Sequence, residues 1–556
     1  MTEQHPLFTE AEPGKPLLPV ALVLILILVF YGFLLSQNLP QEWTKMSHFR
    51  AEVHDIEIHP PPYFMVVPFV TLLFCIAILP LIPVAAHWWE RNTNKLLIAT
   101  GLGIVTLLYY SFGGNVSVER HGPYHAMIDS ATHGSFAVAQ TVFMNAVVFE
   151  FFPFIVLLFS LVIITGGIRI AGNLKATPFA NTVILFFGTV LASFIGTTGA
   201  AMLLIRLLLD TNRKRRYKVH TIVIFIFCVC NCGGCLTPIG DPPLFLGYLR
   251  GVAFEWTFFA LWREWALINL TLITFYFLWD SLWFYRRENH YESREHNNVE
   301  QPDQPAQQSG YSAVLRSRLS FAISGWMLNV PLLLGVVAAV AFLDPGKTLP
   351  GTDWHPWYYL REAVQLGLAA ISLLCSSNVI RKANAFNFSA IGEVAVLFFG
   401  IFICMQVPLQ ILNVKGTQIV TSAEKVTGLE KEKLFFWATG SLSSVLDNAP
   451  TYVVFFETAR ALTPKTDETK ERWRAENGRA FQAVPIRGGA VDHHLLIAVS
   501  LGAVFMGAMT YIGNGPNFMV KAIAEQDGIE MPSFFGYMVY SCLILLPLFV
   551  VMTMAI

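Results

Sequence analysis

Charged residues are scarce in this chain: Asp, Glu, Lys and Arg make up 13% of its 556 residues, against 54% for hydrophobic residues. The mean hydropathy of +0.53 is too high for a soluble multidomain protein. The formal net charge is −1 and no basic or acidic tract dominates, so nothing in the composition indicates a nucleic acid partner. The sequence therefore predicts a polytopic membrane protein embedded in a lipid bilayer.

Loop cysteines, which a disulfide framework requires, are also lacking, because all eight cysteines lie in or beside apolar segments. One face of a helix would carry Cys228, Cys232 and Cys235, so a metal site with thiolate ligands is one interpretation of these residues. Small packing residues in a membrane helix are the simpler interpretation, and we expect no transition metal. Neither H-E-x-x-H nor G-x-S-x-G occurs, so the sequence does not favour an intramembrane enzyme, and no cofactor is expected.

Apolar stretches long enough to span a bilayer recur along the chain. About eleven are predicted crossings: 17–36, 63–87, 96–112, 136–168, 219–250, 257–283, 320–343, 359–379, 389–412, 494–522 and 533–556. The first follows an acidic start, which favours a retained helix over a secretory signal. Two further stretches, 178–209 and 435–460, centre on GTTG and DNAPT. Such breakers predict re-entrant helical hairpins, which enter and leave on the same side.

A polar stretch at 286–318 divides the chain near its middle and reads as a linker. The Lys- and Arg-rich loop TNRKRRYK indicates the cytoplasmic side, and counting crossings from it places the linker there too. Residues 1–62 would form a tail, the first helix and an external loop. About five crossings and one hairpin then fall in 63–285 and again in 319–556. An odd number per half predicts an all-α fold with two inverted repeats.

The breakers recur in matching order in the two halves. LASFIGTTGAAM (Leu191 to Met202) aligns with LSSVLDNAPTYV (Leu442 to Val453). GCLTPIGDPPLF (Gly234 to Phe245) aligns with GAMTYIGNGPNF (Gly507 to Phe518), and half of the twelve positions are identical. Each half therefore contains a hairpin followed by a broken helix.

Non-helical backbone within the membrane is tolerated only where it is buried in protein or lines a water-filled cavity. Four helix interruptions at matching places therefore indicate one central polar site. The side chains there offer oxygen atoms and no cationic group, which suits a small cation such as sodium. Asp447 and Asp241 are the best candidates for carrying the coupling ion, because a carboxylate in the membrane must bind a cation or a proton. Either could instead cap a helix, and Asn514 aligns with Asp241. Glu150 and Glu393, which each open an apolar helix, are secondary candidates.

These motifs resemble the ion transporter superfamily of NhaD-type sodium/proton antiporters, arsenite exporters and citrate or dicarboxylate symporters, from about Tyr63 to the C-terminus. The resemblance implies that the hairpins and broken helices build the cation and substrate sites. It also implies that one domain moves against a scaffold that often forms a homodimer. The positions that match the superfamily's sites, where sodium would bind, are Thr197, Thr198, Gly199, Thr237, Gly240, Asp241, Asp447, Asn448, Thr451, Thr510, Gly513, Asn514 and Asn517.

Two departures from the superfamily pattern favour cation exchange over carboxylate transport. GTTG lacks the asparagine usual in carboxylate transporters, and DNAP places an acid at the second tip. The leading hypothesis is a sodium/proton antiporter of the bacterial inner membrane in which Asp447, with Asp241, alternately binds sodium and protons. The alternative is a cation-coupled citrate or dicarboxylate symporter, in which helix N-termini at Thr198 and Asn448 hold the anion.

Overall fold

Helices form nearly all of the regular structure in the computed structural model of this chain. The structure describes residues 17–47, 60–113, 116–122, 127–172, 174–288, 321–384, 386–464, 469–471, 474, 481–487 and 489–554. Within these ranges the strands are six short segments of three or four residues. The prediction of an all-α fold is confirmed at this level, while the predicted linker lies almost wholly outside the described residues.

Six helices in the described ranges are long and apolar enough to cross a membrane, or seven if the bent pair Ile391–Cys404 and Gln406–Thr427 is one span. The six are Leu17–Ser36, Asn92–Phe112, Ser135–Thr165, Pro178–Ile195, Trp256–Glu288 and Phe534–Thr553. Four shorter apolar helices accompany them. The chain is a multi-pass integral membrane protein; the count of eleven crossings and the inversion of the halves stay predictions.

The described residues among 1–169 and 324–415 form one compact unit, here called unit 1. Its strands Ser117–Glu119 and Met127–Asp129 pair antiparallel. Its α-helices are Leu17–Ser36, Leu39–Ser47, Val67–Ile78, Pro83–Trp89, Asn92–Phe112, Ser130–His133, Ser135–Phe143, Phe152–Thr165, Trp326–Phe342, Leu360–Cys375, Asn378–Ala383, Ser389–Cys404 and the start of Gln406–Thr427. A 3-10 turn at Leu79–Leu81 splits the predicted crossing 63–87, as its prolines require, and a π-helical turn occupies Met144–Phe151.

Small residues let two helices of unit 1 approach closely. A methyl group at Gly400 would lie 2.7 Å from the Cβ atom of Ala99, so these helix backbones are in contact. Close approach at glycine and alanine is typical of helix pairs in membranes. The same two helices are joined by Lys95 and Glu393, whose Nζ and Oε1 atoms are 2.5 Å apart.

The described residues among 170–323 and 416–556 form a second compact unit, here called unit 2. Its strands Ala483–Ile486 and Gly489–Asp492 pair antiparallel. Its α-helices are Pro178–Ile195, Thr197–Thr211, Val219–Cys228, Pro242–Leu249, Trp256–Trp279, the rest of Gln406–Thr427, Lys431–Val445, Asn448–Leu462, His493–Met506, Gly515–Gln526 and Phe534–Thr553. The strands Arg169–Gly172 and Phe321–Ser324 lie where the chain passes between units. Each unit thus combines segments from both predicted repeats.

The interruptions that the sequence predicts are all present in unit 2. The first hairpin turns at Gly196, whose φ of +83° favours glycine, and the second at residues 446–447. The first broken helix ends at Cys228 and resumes at Pro242, where proline suits the first helical turn. The second ends at Met506 and resumes at Gly515.

A buried ion pair joins the loop after the first hairpin to the end of the helix Trp256–Trp279. The Arg215 guanidinium donates two hydrogen bonds to the fully buried Asp280 carboxylate, at 2.8 and 2.6 Å. His220 Nε2 lies 3.0 Å from Asp280 Oδ1, and the Tyr276 hydroxyl donates to Oδ2 at 3.2 Å. Because Asp280 and these partners are all buried, removing Arg215 would leave the Asp280 charge poorly compensated.

We expect Arg215→Ala to lower the free energy of unfolding by about 3–5 kcal/mol, because it removes the arginine that makes two hydrogen bonds to the buried Asp280 charge. Lys214→Ala, at an exposed position of the same loop, should change it by less than about 0.5 kcal/mol. Thermal or denaturant unfolding of the purified protein in detergent measures both. Equal stability of the two variants would contradict the assigned role of this ion pair.

Candidate functional site

The carboxylate of Asp241 is the meeting point of four segments of unit 2. Its Oδ1 accepts hydrogen bonds from the Thr197 hydroxyl at 3.0 Å and from Asn514 Nδ2 at 3.1 Å. Its Oδ2 accepts one from Asn448 Nδ2 at 2.6 Å. All four side chains are at most 5% exposed. Both hairpin tips and both helix breaks therefore contribute to one buried cluster.

Four helices begin at this cluster. Thr197 and Asn448 are the first residues of the return arms of the two hairpins. Asp241 and Asn514 are the N-cap residues of the helices that follow the two breaks. A helix N-terminus carries roughly half a positive elementary charge and unpaired N–H groups. The positive ends of four helices thus lie at the cluster that contains the Asp241 carboxylate, which helps to explain how this charge tolerates burial.

The aligned stretches of the two repeats make equivalent contacts. The Thr237 hydroxyl donates to the carbonyl oxygen of Ser193, and the Thr510 hydroxyl donates to that of Ser444 at 2.5 Å. Ser193 and Ser444 occupy matching positions in the sequence alignment, as the two threonines do. In each repeat, therefore, a threonine of the break holds the last turn of the incoming hairpin arm.

A glycine in each helix break lets two backbone segments of that break approach each other closely. A Cβ atom at Gly240 would overlap the carbonyl oxygen of Gly234, and one at Gly513 would lie 2.6 Å from that of Gly507. The carbonyl of Gly240 also accepts from the Thr197 backbone amide at 2.8 Å. Only a residue without a side chain fits either place.

Asn231 is a residue of the cluster that the sequence interpretation missed. Its Nδ2 donates to Asn517 Oδ1 at 2.7 Å, and Asn514 Nδ2 lies 3.3 Å from its Oδ1. Asn517 in turn donates to the carbonyls of Gly507 and Thr510, each at 2.9 Å. Asn231 is the one strongly polar side chain in the run VIFIFCVCNCGGC, and this isolation was the available signal.

Asp447 occupies a different environment from Asp241. It is the N-cap of Asn448–Leu462, and its Oδ1 accepts from the Ala449 amide at 3.1 Å. The Thr451 hydroxyl donates to the Asp447 carbonyl at 3.1 Å. The Asp447 side chain is half-buried and lies close enough to Asp241 for the two charges to repel each other. Thr198 is also half-buried at the other tip, and Gly199 follows it, fully buried.

The amide oxygen of Asn448 is a further polar atom of this cluster. Asn448 is fully buried, and its Oδ1 has no hydrogen-bond partner within the part of the chain that the structure describes. The reverse orientation of the amide would set this oxygen against an Asp241 oxygen that now accepts at 2.6 Å. A buried oxygen without a donor calls for a cation or a polar ligand.

The secondary candidates lie in unit 1, each with an ionic partner. Glu150 Oε1 is 3.3 Å from His121 Nδ1, and Glu393 pairs with Lys95. The buried cysteines at 228, 230, 232 and 235 carry free thiols. No group of three or more His, Cys, Asp or Glu side chains suited to a metal ion occurs among the described residues.

The profile of one protein family, described as "Putative citrate transport", matches residues 59–556. The chain belongs to this family. The match covers both hairpins and both broken helices, and family membership makes the chain a secondary transporter in agreement with the resemblance seen in its motifs. No individual curated protein matches the chain significantly.

We expect Gly240→Ala and Gly513→Ala to lower the free energy of unfolding by about 1–3 kcal/mol or more, because the added methyl groups meet fixed backbone atoms. Both variants should also lose transport. Gly515→Ala is the control, since a Cβ atom there meets nothing within 4 Å. Thermal unfolding in detergent and uptake into liposomes provide the measurements. Normal transport by both variants would refute the close packing at the breaks.

Proposed function

We propose that this protein exchanges sodium ions for protons across the cytoplasmic membrane of a bacterium. The proposal rests on the surroundings of the buried Asp241 carboxylate. Its three hydrogen-bond partners in the described structure are neutral donors from both hairpin tips and the second break. A buried carboxylate without a cationic partner binds a small cation or a proton, and one displaces the other.

Oxygen atoms around Asp241 complete a site of the kind that sodium prefers. The unpartnered Asn448 Oδ1 is an uncommitted neutral oxygen on a side chain whose Nδ2 already bonds Asp241. Asp447 adds a second negative charge close by. Hard oxygen ligands, charged and neutral, suit sodium better than they suit a transition metal.

In the proposed cycle, sodium entering from one side displaces the proton from the carboxylate, and a proton from the other side later displaces sodium. The Asp241 site then carries the same charge whether sodium or a proton occupies it. Alternation between the two occupants at one carboxylate is sufficient for exchange and requires no second substrate site.

A second candidate function is symport of citrate or a similar carboxylate with a cation. Two observations favour it: the description of the matching family, and the convergence of four helix N-termini on the cluster. Helix N-termini bind anions through their amide groups. In this alternative the carboxylate substrate binds these N-termini, and the cation binds Asp241.

The two functions are separated with purified protein in liposomes that contain a pH-sensitive dye. We expect sodium chloride to drive proton movement and potassium citrate to drive none, because exchange needs only the cation. Protein-free liposomes and potassium chloride control for leakage. Proton movement or labelled citrate uptake that requires citrate would replace antiport with symport.

Substitution of each aspartate by asparagine separates charge from shape. We expect Asp241→Asn to abolish exchange, and Asp447→Asn to weaken the apparent sodium affinity by about tenfold, equivalent to about 1.4 kcal/mol. Asparagine still caps a helix, so Asp447→Asn should keep wild-type stability, whereas Asp447→Ala should also lose about 1 kcal/mol of it. Asp527→Asn, at an exposed position of unit 2, is the control. Full exchange by Asp241→Asn would remove this carboxylate from the mechanism.

A further inference from the structure

Glu264 is an acidic residue inside a membrane-spanning helix that the site described above does not use. It belongs to the helix Trp256–Trp279, which lies in a span of 33 residues. At a rise of about 1.5 Å per residue, its Cα lies about 12 Å along a helix about 36 Å long. Acidic residues at such positions are costly and usually functional.

One oxygen of the Glu264 carboxyl group is isolated from solvent. Oε2 is buried and has no hydrogen-bond partner among the described residues, although the side chain as a whole is half-buried. An ionised carboxylate with an oxygen in this state loses the solvation of that oxygen, and the neighbouring Arg263, whose charge favours the ionised form, is exposed to solvent. A proton on Oε2 removes the charge, so the geometry favours the neutral acid in this conformation.

The helix that carries Glu264 is fastened to the first helix break. The Thr257 hydroxyl donates to the carbonyl of Leu236 at 3.1 Å. Trp265 Nε1, on the residue next to Glu264, donates to the carbonyl of Gly233 at 3.0 Å. Asn269 Nδ2 donates to that of Cys232 at 3.1 Å. These bonds on both sides of Glu264 along the helix place it beside the segment that leads to Asp241.

We propose that Glu264 is a second proton-carrying residue of the transport cycle. Its carboxylate takes one proton from water on one side of the membrane, forming an O–H bond and becoming neutral, holds it while Oε2 is buried, and returns that proton to water on the other side. The inference rests on the proposed function, to which it adds a proton that Asp241 does not carry. It therefore predicts more than one proton per sodium ion.

Two measurements test this with the full-length protein. The first is the infrared carbonyl band of a protonated carboxylic acid at neutral pH, which we expect Glu264→Gln to diminish and Glu255→Gln to preserve. Glu255 is exposed and immediately precedes the same helix. Because glutamine resembles the neutral acid in shape and charge, Glu264→Gln should fold normally. An unchanged band in Glu264→Gln would show that Glu264 is ionised and overturn the proposal.

The second measurement is the number of protons moved per sodium ion, obtained from the pH gradient that balances a known sodium gradient in liposomes. We expect a lower ratio and a changed pH profile in Glu264→Gln, and the wild-type ratio in Glu264→Asp and Glu255→Gln. An unchanged ratio in Glu264→Gln would overturn the proposal. If wild-type protein moved no protons with sodium, the proposed function would fail. The number of protons would then be measured against the ion that the protein does transport. The infrared band would still decide whether Glu264 is protonated.

Discussion

A single buried carboxylate joins the two hairpins and the two broken helices of unit 2. Hydrogen bonds to a charged acceptor contribute about 1.5–3 kcal/mol each, and Asp241 receives them from three segments that are distant in sequence. The hairpin tips and breaks cannot satisfy their polar groups in lipid, so they depend on this cluster for their partners. Any event that changes the charge of Asp241 therefore acts on both hairpins and on the second break at once.

Much of unit 2 could be predicted because its breakers act locally. Proline, glycine and aspartate in GTTG, TPIGDPP and DNAP interrupt helices whatever surrounds them, and the structure has the interruptions at these motifs. The grouping of segments could not be predicted. Sequence order suggests two successive halves, whereas packing collects the hairpins and broken helices of both into one unit. That sorting depends on which side chains meet, which no local pattern records.

The relation of the two aspartates also lay beyond the sequence. Both Asp241 and Asp447 precede a helix, and each is well placed to be a cap. Asp241 aligns with the neutral Asn514 in the sequence, and in the structure the two side chains touch, with Asn514 donating a hydrogen bond to Asp241. A difference between the repeats thus becomes complementarity in three dimensions. Asn231 and Glu264 were missed because neither lies in a pair of aligned motifs, so no repeat partner marked them.

The convergence of four helix N-termini has a consequence for how the cargo of such a site can change. The four helix ends supply partial positive charges, and the two carboxylates supply negative ones. With both acids ionised the helix ends offset part of this negative charge, and in the proposed function a bound cation offsets the rest. Neutral residues at 241 and 447 would leave the same backbone strongly electropositive. Two side chains thus set the sign of the electrostatic potential at a site whose backbone stays the same. Point substitutions at these two positions could therefore change a cation site into an anion site without any change in the helices.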